Sequence, residues 1–196
     1  MGDTLHELKV TLRTALRAHA QTVSAAERAT ASAQLCERLV AEKFFQSAQG
    51  ILFFAPLTDE PDVWPLLEKT LAGSRVVALP RFSRMQNSYE AVAVRDLATD
   101  IIVGQFAVRE PAAHCPVVPW NRLDLLLVPG LGFDARGTRL GRGKGFYDRL
   151  LPQAVGVKCG LAFDWQLLAE IPAAPHDVTL NCILTPTRRL SSDARI

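Results

Sequence analysis

Residues 123 to 151 read LDLLLVPGLGFDARGTRLGRGKGFYDRLL, and the rest of the chain is best read outward from them. Leu123 to Val128 is an apolar run of buried-strand length, closed by a Pro129-Gly130 turn. A loop follows that holds Gly132, Gly137, Gly141, Gly143 and Gly145, interleaved with Arg136, Arg139, Arg142 and Lys144. Phe146-Tyr147-Asp148-Arg149-Leu150-Leu151 then reads as a helix start. A strand, a glycine-rich basic loop and a helix make a holder for phosphate. Glycine lets the backbone approach an anion and adopt positive φ. Helix N-terminal amides point at the anion, and arginine adds charge-assisted hydrogen bonds. Five glycines and four cations within fourteen residues set this loop apart from an ordinary solvated turn.

The loop is not a P-loop, because Gly143-Lys144 is followed by Gly145 rather than Ser or Thr, and position 138 is Thr rather than Gly. It is not a dinucleotide fingerprint either, since Phe146 stands where a third glycine or alanine is needed. A metal used here must come to a carboxylate, and Asp148 and Asp134 are the nearest.

Further out, Leu5, Leu8, Leu12, Leu16 and His19 recur at helical spacing, predicting an amphipathic helix over residues 4 to 20. Ser24 and Glu27 form a capping box that starts a second helix, running to about Phe45. Strands are predicted at Gly50 to Ala55, Arg75 to Leu79, Tyr89 to Val94, Val155 to Phe163 and Leu180 to Leu184, with a helix capped by Asp62 and ending at Leu71. Near-continuous apolar strands alternating with helices predict an α/β fold. Its sheet is mostly parallel and covered by helices on both faces, with a helical pair at the N-terminus. The loops after Ala55, Leu79, Val128 and Phe163 are then expected at one sheet edge, where ligands bind. Residues 186 to 196 read as a loose tail on a single domain spanning 1 to 196.

At 196 residues and 48% apolar, the chain can bury about 70% of its unfolded surface in one core. A net charge of +2 argues against a general nucleic-acid or membrane surface protein. No run approaches the ~20 apolar residues of a membrane span, and the N-terminus has no signal pattern. Cys36, Cys115, Cys159 and Cys182 are scattered without a C-x-x-C, which predicts structural thiols in a reducing compartment and argues against zinc.

The loop resembles the signature of the 5-formyltetrahydrofolate cyclo-ligase (methenyltetrahydrofolate synthetase) family. The match runs through Pro129-Gly130, Phe133-Asp134, Gly137, Arg139-Leu140-Gly141, Gly143 and Gly145-Phe146-Tyr147-Asp148-Arg149. One conservative departure is Phe146, where the family has Tyr. Four more elements stand in family order: Lys9 with Arg13, Glu60, Glu110-Pro111, and the run Gln166, Pro172, His176-Asp177, Thr185. The resemblance implies ATP-dependent closure of 5-formyltetrahydrofolate to 5,10-methenyltetrahydrofolate, with release of ADP and phosphate. It implies ATP contacts from Lys9, Arg13, Arg139, Leu140, Gly141, Arg142, Gly143, Lys144, Gly145, Phe146 and Tyr147. It implies folate contacts from Glu60 and from Arg142, Gly143, Lys144, Gly145 and Phe146, and Mg²⁺ ligation by Asp148 and Asp177. Arg142, Lys144 and Tyr147 are the expected catalytic groups. A cytoplasmic monomer acting on small molecules is expected, with no nucleic-acid or membrane partner. Taken singly, Lys9 and Arg13 also fit a solvated helix face, Glu60 ordinary loop polarity, and Asp177 a turn cap. Two other functions remain open: a non-catalytic nucleotide- or folate-binding member, and an ATP-dependent ligase for another small amide.

Overall fold

The computed structural model describes residues 4–83, 85, 88–104, 108–175 and 177–192. In chain order the first elements are α1 (Leu5–Thr22), α2 (Ala25–Ala41), α3 (Lys43–Ser47), β1 (Gly50–Leu52), α4 (Trp64–Leu71), β2 (Val76–Ser83) and β3 (Ser88–Val94). Then come α5 (Leu97–Asp100), β4 (Ile101–Val103), β5 (Arg109–Pro111), β6 (Leu125–Val128), β7 (Gly132–Asp134) and β8 (Arg139–Leu140). The chain continues through α6 (Phe146–Leu150), β9 (Val157–Leu161), β10 (Leu167–Leu168), β11 (Cys182–Leu184) and β12 (Arg189–Ser191).

The main sheet runs β12-β11-β9-β6-β1-β2-β3. Its five central strands are parallel, and an antiparallel strand closes each edge. The alternation of strand side chains divides the core in two. Leu125 and Leu127 join Ile51, Leu35, Leu39 and Leu67 on the face covered by α2 and α4. Leu126 and Val128 join Leu52, Ile183, Leu150 and Leu151 on the face covered by α6. The α/β reading therefore holds, and the capping box of Ser24 and Glu27 stands as expected. The N-terminal helices go to different places. α2 packs on the main sheet, whereas Leu12 and Leu16 of α1 pack with Leu131, Leu140 and Ile171 against the small sheet β10-β7-β8.

Several boundaries differ from expectation. The second helix ends at Ala41 rather than near Phe45, with Lys43–Ser47 a separate short helix, and the first strand ends at Leu52 rather than Ala55. The predicted loop after Leu79 does not form: β2 continues to Ser83 because β3 pairs with it antiparallel from Val77↔Val94 to Ser83↔Ser88. Part of the expected loose tail is ordered, since Arg189–Ser191 pairs with β11 as an edge strand, while residues 193–196 lie outside the described residues. The glycine-rich stretch is not one open loop. Its first half folds into the β7–β8 hairpin, turned at Gly137 with φ of 82°. No helix among the described residues is long and apolar enough to cross a membrane.

Candidate active site

The carboxyl ends of β1 and β6 open onto a groove of ≈ 390 Å³. Phe54, Leu57 and Glu60 enter it from the loop after β1, and Pro129-Gly130 from the turn after β6. Pro80, Phe82 and Tyr89 come from the β2–β3 ribbon, and Arg109 and Glu110 from the β4–β5 hairpin. The far wall is the basic loop itself, with Arg139, Gly141, Arg142, Lys144 and Gly145, followed by Phe146, Tyr147 and Asp148 of α6. The loop after Phe163 does not line the groove but supports it: Gln166 Nε2 donates to the Gly130 carbonyl at 2.9 Å, while Phe163 N–H donates to Gln166 Oε1 at 2.8 Å.

Gly143 and Gly145 adopt φ of 100° and 65°, values that an L side chain rarely takes. The loop therefore bends sharply into α6. That helix has only five residues and continues as a 3₁₀ turn, Leu151–Gln153, so its dipole is small and the side chains carry most of the local charge. A Cβ at Gly141 would stand 2.8 Å from Arg139 Nη1, so glycine there leaves room for the guanidinium.

Four cations meet carboxylates or carbonyls around this loop. Arg139 Nη2 donates to Asp148 Oδ1 at 2.8 Å, and its guanidinium lies 5.1 Å from the Tyr147 ring centroid. Arg142 spans the groove: its Nε and Nη2 each lie 3.0 Å from Glu60 Oε1, and Nη2 also bonds Asp59. On the other side of Gly141, α1 presents Lys9 and Arg13, one turn apart on one face. Lys9 Nζ donates to Asp177 Oδ2 at 2.6 Å, and Arg13 Nε donates to the Gly141 carbonyl at 2.9 Å. Burial lowers the Arg13 pKa, and the nearby Arg17 adds to this, while Asp148 and Asp177 act in the opposite direction. Burial pushes the Glu60 carboxyl up against the pull of Arg142 and the Leu57 N–H. Burial also pushes the Tyr147 phenol well above its ordinary value.

The structure thus brings together Glu60, Arg139, Gly141 to Gly145, Phe146, Tyr147 and Asp148, with Lys9, Arg13 and Asp177 flanking the loop on its α1 side. Leu140 turns its side chain away from the groove, buried beside Leu16 and Ile171, and its carbonyl accepts from Leu131 N–H at 2.8 Å. Asp134 is also not available to a metal. Its buried carboxylate accepts from the backbone N–H groups of Ile171, Arg136 and Thr138 at 2.9 to 3.0 Å and from the Arg136 guanidinium. Although burial opposes it, this set holds the Asp134 carboxyl below the usual range. His176 and the stretch 105–107 lie outside the described residues.

Sequence reasoning missed an aromatic wall. The Tyr89 ring lies 5.3 Å from Phe82 and 4.9 Å, edge-on, from Phe146. Phe82 and Tyr89 are cross-strand partners in β2–β3, so a hairpin reading of PRFSRMQNSYEAV would have paired them. The groove is therefore lined both by the cations Arg139, Arg142 and Lys144 and by the aromatic cluster of Phe82, Tyr89 and Phe146, with the Lys144 ammonium 5.8 Å from the Phe146 ring centroid.

Residues 6–186 match the model of the 5-formyltetrahydrofolate cyclo-ligase family. The chain belongs to this family. It is 34% identical to 5-formyltetrahydrofolate cyclo-ligase of Mycolicibacterium smegmatis, over 92% of this chain and 94% of the relative. It is 29% identical to the Mus musculus protein of the same name, over 92% and 95%. The solution structure of Aquifex aeolicus 5,10-methenyltetrahydrofolate synthetase superposes with a TM-score of 0.86 at 28% identity, covering 96% of this chain and 95% of that one. The family is one of ligases.

Proposed function

We propose that this chain closes 5-formyltetrahydrofolate to 5,10-methenyltetrahydrofolate with ATP and Mg²⁺, releasing ADP and phosphate, and that it does so in this groove. The carrying observation is that one continuous groove is lined by both a glycine-flanked set of cations and an aromatic cluster. The cations suit a triphosphate and the aromatic cluster a pterin, whose flat ring packs on Phe82, Tyr89 and Phe146. Glu60, fixed by Leu57 N–H at 3.0 Å, offers a carboxylate to the pterin N–H groups.

An amide oxygen is a poor leaving group. Transfer of the γ-phosphoryl to the formyl oxygen makes it a good one, with ADP departing. The N10 amine then attacks the formyl carbon, phosphate leaves, and the N10 proton passes to solvent. Phosphoryl transfer needs positioning and charge neutralisation more than covalent help. Arg139, Arg142 and Lys144 supply that charge on one side of the phosphates, and Lys9 and Arg13 on the other. Tyr147, which lines the groove beside Arg139, would offer its hydroxyl to the bound substrates as a hydrogen-bond donor.

The carboxylates fit a magnesium ion. Asp148 and Asp177 are hard oxygen donors, both partly exposed and both within electrostatic reach of Arg13. They would hold the ion, which neutralises phosphate charge when bound.

The test is the ultraviolet absorbance of the methenyl product, with purified protein, 5-formyltetrahydrofolate and Mg²⁺. Growth of that band only when ATP is added supports the reading. A flat trace with nucleotide still bound rejects it and favours a non-catalytic binding module or another amide substrate.

A further inference from the structure

Away from the basic loop, Asp100, His114 and Cys115 place a carboxylate, an imidazole and a thiol together, with ligand atoms all within 4.8 Å of one another. His114 Nε2 is 2.9 Å from Asp100 Oδ1, and Cys115 Sγ is 3.6 Å from the Asp100 carbonyl oxygen. The supporting backbone is tied on both sides. Asp100 Oδ2 accepts from Arg95 N–H at 2.8 Å and from Asp96 N–H at 3.1 Å, which fixes the carboxylate. Ala112 N–H donates to the Asp100 carbonyl at 2.7 Å, and Arg81 Nη1 donates to the Ala112 and Cys115 carbonyls at 2.8 and 3.3 Å, which fixes the turn that carries His114 and Cys115.

One oxygen, one nitrogen and one sulfur ligand form a borderline-soft donor set, which favours zinc over magnesium. Metal–ligand bonds of about 2.0 to 2.3 Å place tetrahedral ligand atoms roughly 3.3 to 3.7 Å apart. The trio's ligand atoms, all within 4.8 Å of one another, need only small side-chain shifts to approach that spacing, and His114 is the exposed member of the three.

We propose that Asp100, His114 and Cys115 form a three-ligand site for a thiophilic divalent cation of the zinc type. Binding exchanges the Cys115 thiol proton for the metal and releases that proton to solvent. The site sits where α5 meets β4, and β4 pairs with β5, whose Arg109 and Glu110 line the groove. An ion there braces the hairpin that forms one groove wall. The scattered cysteines argued against zinc in the sequence, because these ligands come from two segments that only the fold joins.

The test is titration of the full chain with Co²⁺ in the presence of excess Mg²⁺, followed by competition with Zn²⁺. The expected result is one saturable Co²⁺ per chain, with a thiolate-to-cobalt charge-transfer band that Zn²⁺ abolishes. Cys115→Ser should remove the band, and His114→Ala should weaken binding at least about 10-fold. The exposed His114 lets the second variant fold, which circular dichroism checks, so it decides the matter if Cys115→Ser does not fold. Asp148→Asn with Asp177→Asn should leave the band in place, separating this site from the groove. No thiolate band in the wild-type chain, or unchanged affinity in His114→Ala, overturns the proposal.

Discussion

Lys9 Nζ lies 2.6 Å from Asp177 Oδ2, so a cation proposed for phosphate is paired with a carboxylate proposed for metal. Arg139 and Asp148 repeat the arrangement at 2.8 Å. Without ligands, these charges neutralise one another. On the proposed assignment, nucleotide and metal together would let both pairs exchange partners, with the phosphates facing the cations and the carboxylates free to hold Mg²⁺. Either ligand alone strands one member of each pair, and a stranded, partly buried charge is costly.

Asp177→Asn tests that exchange. It releases Lys9 from its ion pair while Asn can still accept the Ala174 N–H, which stands 2.7 Å from Asp177 Oδ2. Binding of ADP in EDTA should tighten, and the gain from adding Mg²⁺ should shrink by about 10-fold, on the scale of a partly buried pair. Isothermal titration with and without Mg²⁺ reads both effects. Identical coupling in wild type and variant removes Asp177 from the metal shell. Asp148→Asn should likewise raise the Mg²⁺ concentration needed for activity.

Lys144 is exposed at the loop apex, with its ammonium 5.8 Å from the Phe146 ring centroid. Lys144→Ala should lower kcat by at least about 100-fold, the scale of one lost transition-state donor. Its melting temperature should match that of wild type, because surface truncation costs little stability. Wild-type turnover in this variant would sink the clamp assignment.

Glu60→Gln removes the charge that faces Arg142 at 3.0 Å and that we assign to the pterin. Folate affinity should fall by about 10-fold, in line with a lost charged hydrogen bond of 1.5–3 kcal/mol partly replaced by the amide. ATP affinity should change less. The reverse order, in paired binding titrations, means that the two ligands are placed the wrong way round.

Asp134 gives a prediction for stability rather than catalysis. Its carboxyl is held below the usual range by hydrogen bonds that outweigh burial. A depressed carboxyl contributes stability above its unfolded pKa, near 3.9, and loses it as pH falls through the folded value. Asp134→Asn should cost about 1–3 kcal/mol at neutral pH. The gap between variant and wild type should narrow below about pH 4, as read by urea denaturation at several pH values. A gap independent of pH would mean that the carboxylate charge is not what the loop uses.

The glycine-rich stretch was legible because its information is local. Apolar runs, turn residues and motif spacing are properties of consecutive residues, and Gly143 and Gly145 take the positive φ that their type suggested. Capping at Ser24 was readable for the same reason. The orientation of Leu140 was not legible: it sits inside the motif, yet its side chain alternates into the core while Arg139 and Gly141 line the groove. The reach of β2 to Ser83 was hidden because pairing with β3 overrides the local pattern of the strand.

By itself, then, the order of residues determined the parallel α/β sheet, the family and the basic loop, since periodicity and spacing are written along one dimension. The tertiary structure alone decided which charges face each other. Lys9 meets Asp177 across 168 positions, Arg142 meets Glu60 across 82, and Phe82 and Tyr89 reach Phe146 through a hairpin and a separate helix. Such contacts depend on strand register and on how α1 docks against the small sheet, and these follow from the packing of the whole core rather than from any one segment.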